Sequence, residues 1–210
     1  MVQTTGQFVI GDEDALEAVV GKPMDFIRTK IRQRMDEVMM EFVGRSPFIL
    51  VSTIDANGNV DISPKGDPAG FVRIDDNGNL LIPERPGNQL TFGFRNVLRN
   101  GRIGVIFMAP NQRETLRIKG MAKLHNDPGM LESMQVHGKP ALLYTVVEVE
   151  ECFFHCGKAL IRSGLWNPKT WNSSESISAR HFASLLGGGG EDAVRQTEVR
   201  LDRAYKEQLY

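Results

Sequence analysis

Four short segments of the 210-residue sequence combine cations, hydroxyls and glycines in patterns that could hold an anion. The first is Ser63-Pro64-Lys65-Gly66, at the predicted end of a strand. A hydroxyl and an ammonium at a strand end can meet an anion, and the glycine lets the backbone approach closely. Pro64 has no N–H donor, so this strand should end here or lie at a sheet edge. A plain solvated loop is the alternative interpretation.

The second segment, Pro83-Glu-Arg-Pro-Gly-Asn-Gln89, lies between a predicted strand and a predicted helix. A helix N-terminus offers unpaired N–H groups and a positive potential, both of which favour phosphate. Arg85 would add planar donors suited to the same group, and Asn88 is the predicted N-cap residue. A Pro/Gly loop before a capped helix accounts equally well for the pattern.

The third segment is a predicted strand from Glu114 to Gly120, with Arg117 on the face opposite Leu116 and Ile118. In a barrel, a cation near the end of an edge strand could close the same phosphate site. An exposed charged face without a ligand is the alternative that such alternation also predicts.

The fourth segment runs from Cys152 to Trp166 and passes from a strand into a predicted helix. Lys158 and Arg162 are four residues apart, so they would share one helix face, with Trp166 a turn further on. Two cations and an indole suit a ligand with a phosphate and an aromatic ring. A surface helix whose tryptophan packs into the core is the alternative.

The two cysteines also bear on the compartment and on metal binding. On one strand, Cys152 and Cys156 would lie roughly 13 Å apart, which is too far for a disulfide. Together with His155 they match no structural zinc spacing, so we predict no metal site. Two free thiols are typical of a reducing compartment and predict a cytoplasmic protein.

Net charge and hydrophobic patterning give no indication of a nucleic-acid partner, a secretory signal or a membrane span. The formal net charge of -1 gives no indication of nucleic acid binding. The first ten residues have no basic region and no long apolar core, which argues against a secretory signal. No apolar run approaches the roughly 20 residues of a membrane span, so we expect no membrane association.

The elements that must position these segments are predicted from hydrophobic periodicity. Helical spacing predicts N-terminal helices within residues 12–43, and a C-terminal helical tail is expected over residues 178–210. Asn-Gly pairs at 57–58 and 77–78 predict hairpins with two-residue loops. Between these ends we expect about six strands in hairpin order, which indicates an antiparallel barrel. The strand-like runs are residues 48–54, 60–63, 71–74, 80–82, 103–108, 114–124 and 142–154. A helix is expected over residues 88–99, ended by a glycine C-cap at Asn100-Gly101, and a short helix is expected to begin at Asp127. The glycine run at residues 187–190 is predicted to be a flexible linker.

Read in order, five phrases resemble the pyridoxamine 5'-phosphate oxidase-like family, in its branch of FMN-dependent proteins with no assigned activity. They are SPFILVSTIDANGNVDISPKGDPAGFV, IPERPGN, RNVLRNGRIGVIF, ETLRIKGMAKL and FFHCGKALIRSGLW. The resemblance implies one domain that is mainly β with added helices: a six-stranded antiparallel split β-barrel, Greek-key-like, over about residues 46–171. It also implies a homodimer with FMN at the interface.

The resemblance further implies which residues hold the cofactor. The residues expected to line the flavin are Ser63, Pro64, Lys65 and Gly66. Those expected near the ribityl-phosphate are Ile82, Pro83, Arg85, Asn88, Gln89 and Thr115, with Arg117 as a further cation. Those expected near the cofactor or substrate pocket, from the partner subunit, are Lys158, Arg162, Ser163 and Trp166. The oxidase has a basic residue at the position of Gln89, so Arg85 would have to substitute for it.

We therefore expect an FMN-dependent oxidoreductase whose substrate is unknown, with a small molecule or NAD(P)H as its redox partner. The C-terminal Trp and Arg-x-His substrate residues of the oxidase have no match, which argues against vitamin B6 oxidation. FMN carries the redox chemistry itself, so no residue is assigned a catalytic role. The alternative is a non-catalytic binding protein for a flavin, F420 or haem.

Overall fold

The computed structural model describes residues 9–171, 177–186 and 189–210 of the chain. Three short helices precede the sheet: α1 (Glu13–Val20), α2 (Asp25–Arg28) and α3 (Glu37–Arg45). The carboxylates of Asp12 and Asp36 cap α1 and α3 by accepting backbone N–H bonds of 2.8 and 2.9 Å. The predicted helical region thus divides into separate helices.

The described residues form one antiparallel sheet in the order β2-β1-β5-β6-β7-β4-β3. The strands are β1 (Phe48–Ile54), β2 (Val60–Gly66), β3 (Arg73–Ile74), β4 (Leu80–Glu84), β5 (Arg102–Met108), β6 (Thr115–His125) and β7 (Leu143–His155). The predicted antiparallel split barrel is confirmed, with seven strands where about six were expected; β3 has only two residues. β2 lies at the edge of the sheet, as Pro64 predicted.

The sheet curls into a half-barrel. β2 and β4 are not hydrogen-bonded neighbours in the strand order, yet the side chains of Lys65 on β2 and Glu84 on β4 meet. The two strands therefore face each other across a gap in the hydrogen bonding. We call this gap between β2 and β4 the seam.

Side chains alternate between the two faces of the sheet, as the strand period requires. On the inner face, Ile49, Phe107, Leu116 and Ile118 are buried in the main core. On the outer face, Ile62 of β2 remains 64% exposed. The predicted division of β6 into an apolar and a charged face is confirmed.

An irregularity in the β6–β7 pairing leaves no room for a side chain at one glycine. The register shifts between Lys119 and Gly120, where β7 carries one additional residue. A Cβ on Gly120 would lie 1.9 Å from the carbonyl oxygen of Glu148. Only glycine can occupy this position without moving the backbone.

The two Asn-Gly turns differ from the two-residue loops that we predicted. The backbone N–H of Asp55 donates to the carbonyl of Asn59, and residues 75–79 repeat this arrangement. Each loop therefore has three residues between the closing pair, and only the glycines take a left-handed φ, 87° at Gly58 and 83° at Gly78. Three-residue hairpins of this kind need one left-handed residue rather than two.

The remaining helices are α4 (Phe92–Asn100), α5 (Pro128–Ser133), α6 (Lys158–Ser163), α7 (Ile177–Leu186) and α8 (Glu191–Glu207). α4 starts later than predicted. Asn88 does not cap it, because its Oδ1 accepts the N–H of Leu90 at 3.1 Å and Thr91 holds the N-cap position. Gly101 ends α4 with a left-handed φ of 71°, and Asp127 caps α5, both as predicted.

The C-terminal part of the described chain is a helical hairpin of α7 and α8, packed against each other. The glycine run predicted as a linker, residues 187–190, lies partly outside the described residues. Beyond α8, the hydroxyl of Tyr210 donates to Oδ1 of Asp67 at 2.9 Å. Across the described ranges, no helix is both long and apolar enough to cross a bilayer.

Both cysteines are unpaired. Cys152 is buried in β7, where burial, followed by the nearby charge of Asp36, raises the pKa of its thiol to about 11. Cys156 lies beyond the end of β7 and is exposed. The predicted Cα separation assumed that both cysteines lie on one strand, but β7 ends at His155 and contains only Cys152.

Candidate functional site

A cavity of about 630 Å³ opens at the seam. One wall comes from β2 and the other from the segment that runs from the end of β4 into α4. The structure brings these predicted cofactor residues to its lining: Ser63, Pro64, Lys65, Arg85, Asn88 and Gln89. We call this space the seam cavity.

Lys65 does not present a free charge to the seam cavity. Its Nζ donates to Oε2 of Glu84 at 2.5 Å and lies 4.8 Å from the ring centroid of Phe94. Glu84 is only 5% exposed. Burial raises the pKa of Glu84, and the attraction of Lys65 opposes part of that increase. The carboxylate and the ammonium therefore neutralise each other in the cavity wall.

Arg85 is also occupied within the chain. Its Nε donates to Oδ2 of Asp67 and its Nη2 to the carbonyl of Met134, both at 2.7 Å. The Asp67 side chain is 1% exposed and also accepts the hydroxyl proton of Tyr210. Nη1 of Arg85 is buried and finds no partner within the described ranges. Arg85, which we expected to bind the phosphate in place of a basic residue at Gln89, is thus held by a buried carboxylate.

These two ion pairs cross the seam in the place where β2 and β4 exchange no backbone hydrogen bonds. One pair joins Lys65 to Glu84, and the other joins Asp67, just after β2, to Arg85, just after β4. Sequence reasoning missed both acids as partners. Their signal was present in the complementary order of charges, because one segment reads Lys-Gly-Asp and the other Glu-Arg.

The loop that leads into α4 contains unusual backbone geometry. Gln89 and Thr91 have φ values of 59° and 57°, in the left-handed region that non-glycine residues seldom adopt. No side chain among the described residues caps the first turn of α4. Phe92 and Gly93, which open the helix, line the seam cavity, so this first turn offers backbone N–H donors there.

The charged side chains that line the seam cavity sum to zero. Lys65 and Arg85 are positive, and Asp61 and Glu84 are negative. An anion in this cavity would therefore depend on the N–H groups of α4 and on amide side chains more than on an unpaired cation.

Within one protomer, Arg117 does not lie with Lys65 and Arg85, with which we expected it to form one phosphate site. It lies on the outer face of β6, between the buried inner residues Leu116 and Ile118. There it borders a separate groove of about 560 Å³, with Leu50 and other apolar residues of the outer face. Within one protomer, the sheet itself separates Arg117 from the seam cavity.

Other predicted residues also lie away from the seam cavity. Ile82 is 1% exposed in the main core, and Pro83 is buried beside it in β4. Gly66 lies close to the carbonyl of Pro47, and Thr115 pairs with His155 on β7. The lining that the described chain provides includes none of these four residues.

The α6 segment is likewise separate from the cavity within one protomer. Lys158 and Arg162 are exposed, and the hydroxyl of Ser163 donates to the carbonyl of Leu160 at 3.0 Å. Trp166 is half-buried and donates its indole N–H to the carbonyl of Gln112 at 2.8 Å. Among residues 9–171, 177–186 and 189–210, no group of three His, Cys, Asp or Glu residues is arranged so that it could hold a metal ion.

A family model for pyridoxamine 5'-phosphate oxidase matches residues 35–156, more than half of the chain. The chain therefore belongs to the pyridoxamine 5'-phosphate oxidase family, and the resemblance seen in the sequence is confirmed. Among curated proteins, none matches the sequence significantly.

Several solved structures are similar to this chain. HupZ of Group A Streptococcus is 21% identical, with coverage of 57% of this chain and 93% of that one and a TM-score of 0.46. A Clostridium acetobutylicum protein of the pyridoxinephosphate oxidase family is 18% identical, with coverage of 58% and 91% and a TM-score of 0.37. The heme storage protein HutZ from Vibrio cholerae is 14% identical, with coverage of 57% and 94% and a TM-score of 0.38.

Proposed function

We propose that this protein binds FMN in the seam cavity and acts as an FMN-dependent oxidoreductase. The observation that carries the proposal is the cavity itself, which gathers predicted cofactor residues from β2 and from the loop before α4. Its volume of about 630 Å³ lies within the range typical of cofactor sites. Membership in the family supports the same conclusion.

The start of α4 is the end of the cavity that fits a phosphate. The uncapped first turn offers N–H donors, and the side chains of Asn88 and Gln89 add amide groups nearby. A helix N-terminus binds anions through these donors and through its dipole, without needing a side-chain cation. We therefore place the phosphate here and assign Arg85 a positioning role, since it anchors the start of this loop to Asp67.

The rest of the cavity fits a flat ring with a polar edge. Val51, Leu142 and Phe94 contribute apolar surface, and the ammonium of Lys65 is fixed there by Glu84. FMN supplies the redox chemistry when it is bound, while the chain binds it, orients it and excludes water. The paired Lys65 keeps a hydrogen-bond donor at a constant position in the wall.

We further propose that the protein is a homodimer. The outer face of the sheet exposes Val60 and Ile62 at 61% and 64%, and Phe48 at 39%. Apolar patches of this kind are typical of protein interfaces. A second copy on this face is the route by which Lys158, Arg162, Ser163 and Trp166 would approach a neighbouring seam cavity.

Titration of cofactor-free protein with FMN tests the proposed site, with quenching of flavin fluorescence as the measurement. Gln89→Gly keeps the left-handed backbone but removes the amide, and should weaken FMN binding about tenfold, as loss of a hydrogen bond to a charged group does. Asn111→Gly is the matched control, because Asn111 is exposed, has a φ of 63° and lies outside the cavity lining. It should bind FMN like the unmodified protein.

Failure of the unmodified protein to quench FMN at concentrations well above micromolar would contradict the proposed cofactor. A Soret band or F420 fluorescence in the purified protein would instead support a binding protein for another cofactor. Anaerobic mixing of the FMN complex with NAD(P)H then separates the enzyme from a flavin carrier. Bleaching of the flavin absorbance supports the oxidoreductase, provided that free FMN does not bleach at the same rate.

A further inference from the structure

The residue Tyr210, beyond α8, contacts the barrel through both its side chain and its main chain. Its hydroxyl donates to Oδ1 of Asp67 at 2.9 Å, and its main-chain oxygen accepts a hydrogen bond from Nζ of Lys139 at 2.6 Å. Its ring packs edge-on against the ring of His137, with the centroids 5.2 Å apart. These contacts join the helical hairpin of α7 and α8 to the end of β2 and to the connection between α5 and β7.

Arg85 is held at the same two places as Tyr210. Its Nε donates to Oδ2 of Asp67, and its Nη2 donates to the carbonyl of Met134, which begins the connection between α5 and β7. Asp67 and this connection therefore each bind both Arg85 and Tyr210, and the contacts form a closed ring. Because Arg85 lines the seam cavity, the ring links the helical hairpin to that cavity.

The two oxygens of the Asp67 carboxylate are divided between two donors. Oδ1 accepts from Tyr210 and Oδ2 from Arg85, so the guanidinium does not form the two parallel bonds that it commonly makes with a carboxylate. Nη1 of Arg85 is buried and has no partner among the described residues. Without the Tyr210 hydroxyl, Oδ1 would lack a donor, and a turn of the guanidinium onto both oxygens would supply one. That turn would break the bond from Arg85 to Met134.

The loop that begins at Arg85 depends on such an anchor. Gln89 and Thr91, further along this loop, have left-handed φ values of 59° and 57°. Non-glycine residues keep this costly conformation only where the surrounding contacts fix it. A change in the contacts of Arg85 would therefore loosen residues 85–91, which lead into α4 and form part of the cavity wall.

We propose that Tyr210 is a latch that couples the helical hairpin to the seam cavity. When Tyr210 is docked on Asp67, Arg85 and residues 85–91 are held in the arrangement that binds the cofactor. When it is released, Arg85 turns onto Asp67 and the loop loosens. The proposal rests on the proposed function, since it takes the seam cavity as the FMN site. Docking of the hairpin and binding of FMN then increase each other by the same factor, because coupling between two equilibria is reciprocal.

Hydrogen exchange of the full-length protein, with and without FMN, tests both directions of this coupling. In the unmodified protein, FMN should slow amide exchange in α8 as well as in residues 85–97. In Tyr210→Phe without FMN, exchange should be faster in both regions, because Asp67 has lost the latch. The variant should bind FMN about fivefold more weakly, and FMN should no longer slow exchange in α8.

Two control variants separate the latch from a general loss of stability. Asp36→Ala removes a hydrogen bond of similar worth, because Asp36 caps α3 with a bond of 2.9 Å, but it lies outside the ring of contacts. Tyr205→Phe removes an exposed hydroxyl of α8 itself. Both controls should bind FMN like the unmodified protein, and in both FMN should still slow exchange in α8.

The proposal is wrong if Tyr210→Phe without FMN leaves exchange in residues 85–97 unchanged, or if FMN still slows exchange in α8 of that variant. Faster exchange at residues 85–97 and α8 in Asp36→Ala, to the same extent, would also overturn it, because general instability would then explain the effect. If the unmodified protein does not bind FMN, the proposed function fails. The exchange of ligand-free Tyr210→Phe at residues 85–97 still decides whether the latch exists.

Discussion

Two pairs of cations in this protein share the same residue types but differ in electrostatic state. Lys65 and Arg85 at the seam are each held by a carboxylate, at 2.5 and 2.7 Å. Lys30 and Arg117 on the outer face each lie 5.3 Å from the centroid of the Phe153 ring, and neither has an ion-pair partner in the part of the chain that the structure describes. Residue type therefore does not indicate whether a positive charge is available to a ligand; the local counter-ions decide that.

The difference follows from where the acids are buried. The side chains of Asp67 and Glu84 are 1% and 7% exposed, and a carboxylate that far from water needs a cation close by. The outer face is partly open to solvent, so its cations can remain unpaired at lower cost. At the seam the basic residues neutralise buried carboxylates, whereas Lys30 and Arg117 on the outer face have no ion-pair partner among the described residues.

The largest effect is expected for Arg85→Met, which leaves the Asp67 carboxylate buried without its cation. Removal of one partner from a buried pair costs about 3–5 kcal/mol of unfolding free energy. Denaturant unfolding followed by tryptophan fluorescence measures this loss. Arg102→Met is the control, because its pair with Glu150 is 61% and 45% exposed and should be worth about 1 kcal/mol at most. Equal losses in both variants would contradict a stabilising role for the seam pair.

Lys65→Met should have a smaller and pH-dependent effect. We expect a loss of about 2 kcal/mol near pH 8, because Lys65 is 21% exposed and Glu84 can take up a proton in its absence. Burial raises the pKa of Glu84 in the folded state above its ordinary value of 4.5. At a pH above that value, the folded state therefore holds a proton that the unfolded state has lost. The stability contribution of Glu84 therefore falls with increasing pH.

Loss of the Lys65 charge should raise the pKa of Glu84 further, so the decrease in stability should continue to higher pH. At about pH 4, Glu84 is mostly protonated in the folded and the unfolded state of both proteins, so the variant and the unmodified protein should be similar in stability. Their free energies of unfolding should diverge towards about pH 8. Urea unfolding at a series of pH values provides the comparison. A difference that is independent of pH would show that Lys65 contributes through packing on Phe94 rather than through its charge.

Tyr210→Phe tests the second hydrogen bond to Asp67. The hydroxyl donates to this buried carboxylate at 2.9 Å, and burial together with Asp67 raises the pKa of the Tyr210 phenol, so the proton is retained at neutral pH. Removal of the donor should cost about 1.5 kcal/mol in unfolding free energy. Tyr205→Phe, at an exposed position of α8, is the matched control and should be neutral.

The smallest effect is expected for Arg117→Met. Because no described carboxylate pairs with Arg117, the variant should differ from the unmodified protein by about 0.5 kcal/mol or less in unfolding free energy. The pKa of His155, which is lowered by burial first and then by the charges of Arg117 and Lys30, should increase, because one repelling charge is gone. Thermal unfolding and an NMR titration check the two statements. A stability loss comparable to that of Arg85→Met would remove the distinction between the two cation pairs.

Much of the barrel was predictable because its signals are local. Alternation identified the apolar face of β6, Asp127 and Gly101 marked helix ends, and Pro64 indicated an edge strand. Each of these properties depends on a few neighbouring residues. The prediction that Asn88 caps the helix was wrong because its side chain accepts a hydrogen bond from the N–H of Leu90, only two residues away.

The candidate site was less predictable because it depends on contacts between distant residues. The pairing of Asp67 with Arg85 spans 18 positions, and the contact of Arg85 with Met134 spans 49. The face on which Arg117 lies followed from the pattern of β6, but its separation from Lys65 required the curl of the whole sheet. Hydrophobic periodicity contains no information about which charges meet across such a gap.

The two cysteines give this protein a natural point for chemical labelling. Thiolates attack maleimide reagents, and a thiol that is buried and has a pKa of about 11, as in Cys152, is almost entirely protonated at neutral pH. Cys156 is exposed and follows His155 directly in the chain. A single dye would therefore attach at the end of β7, next to His155, without any cysteine being introduced or removed.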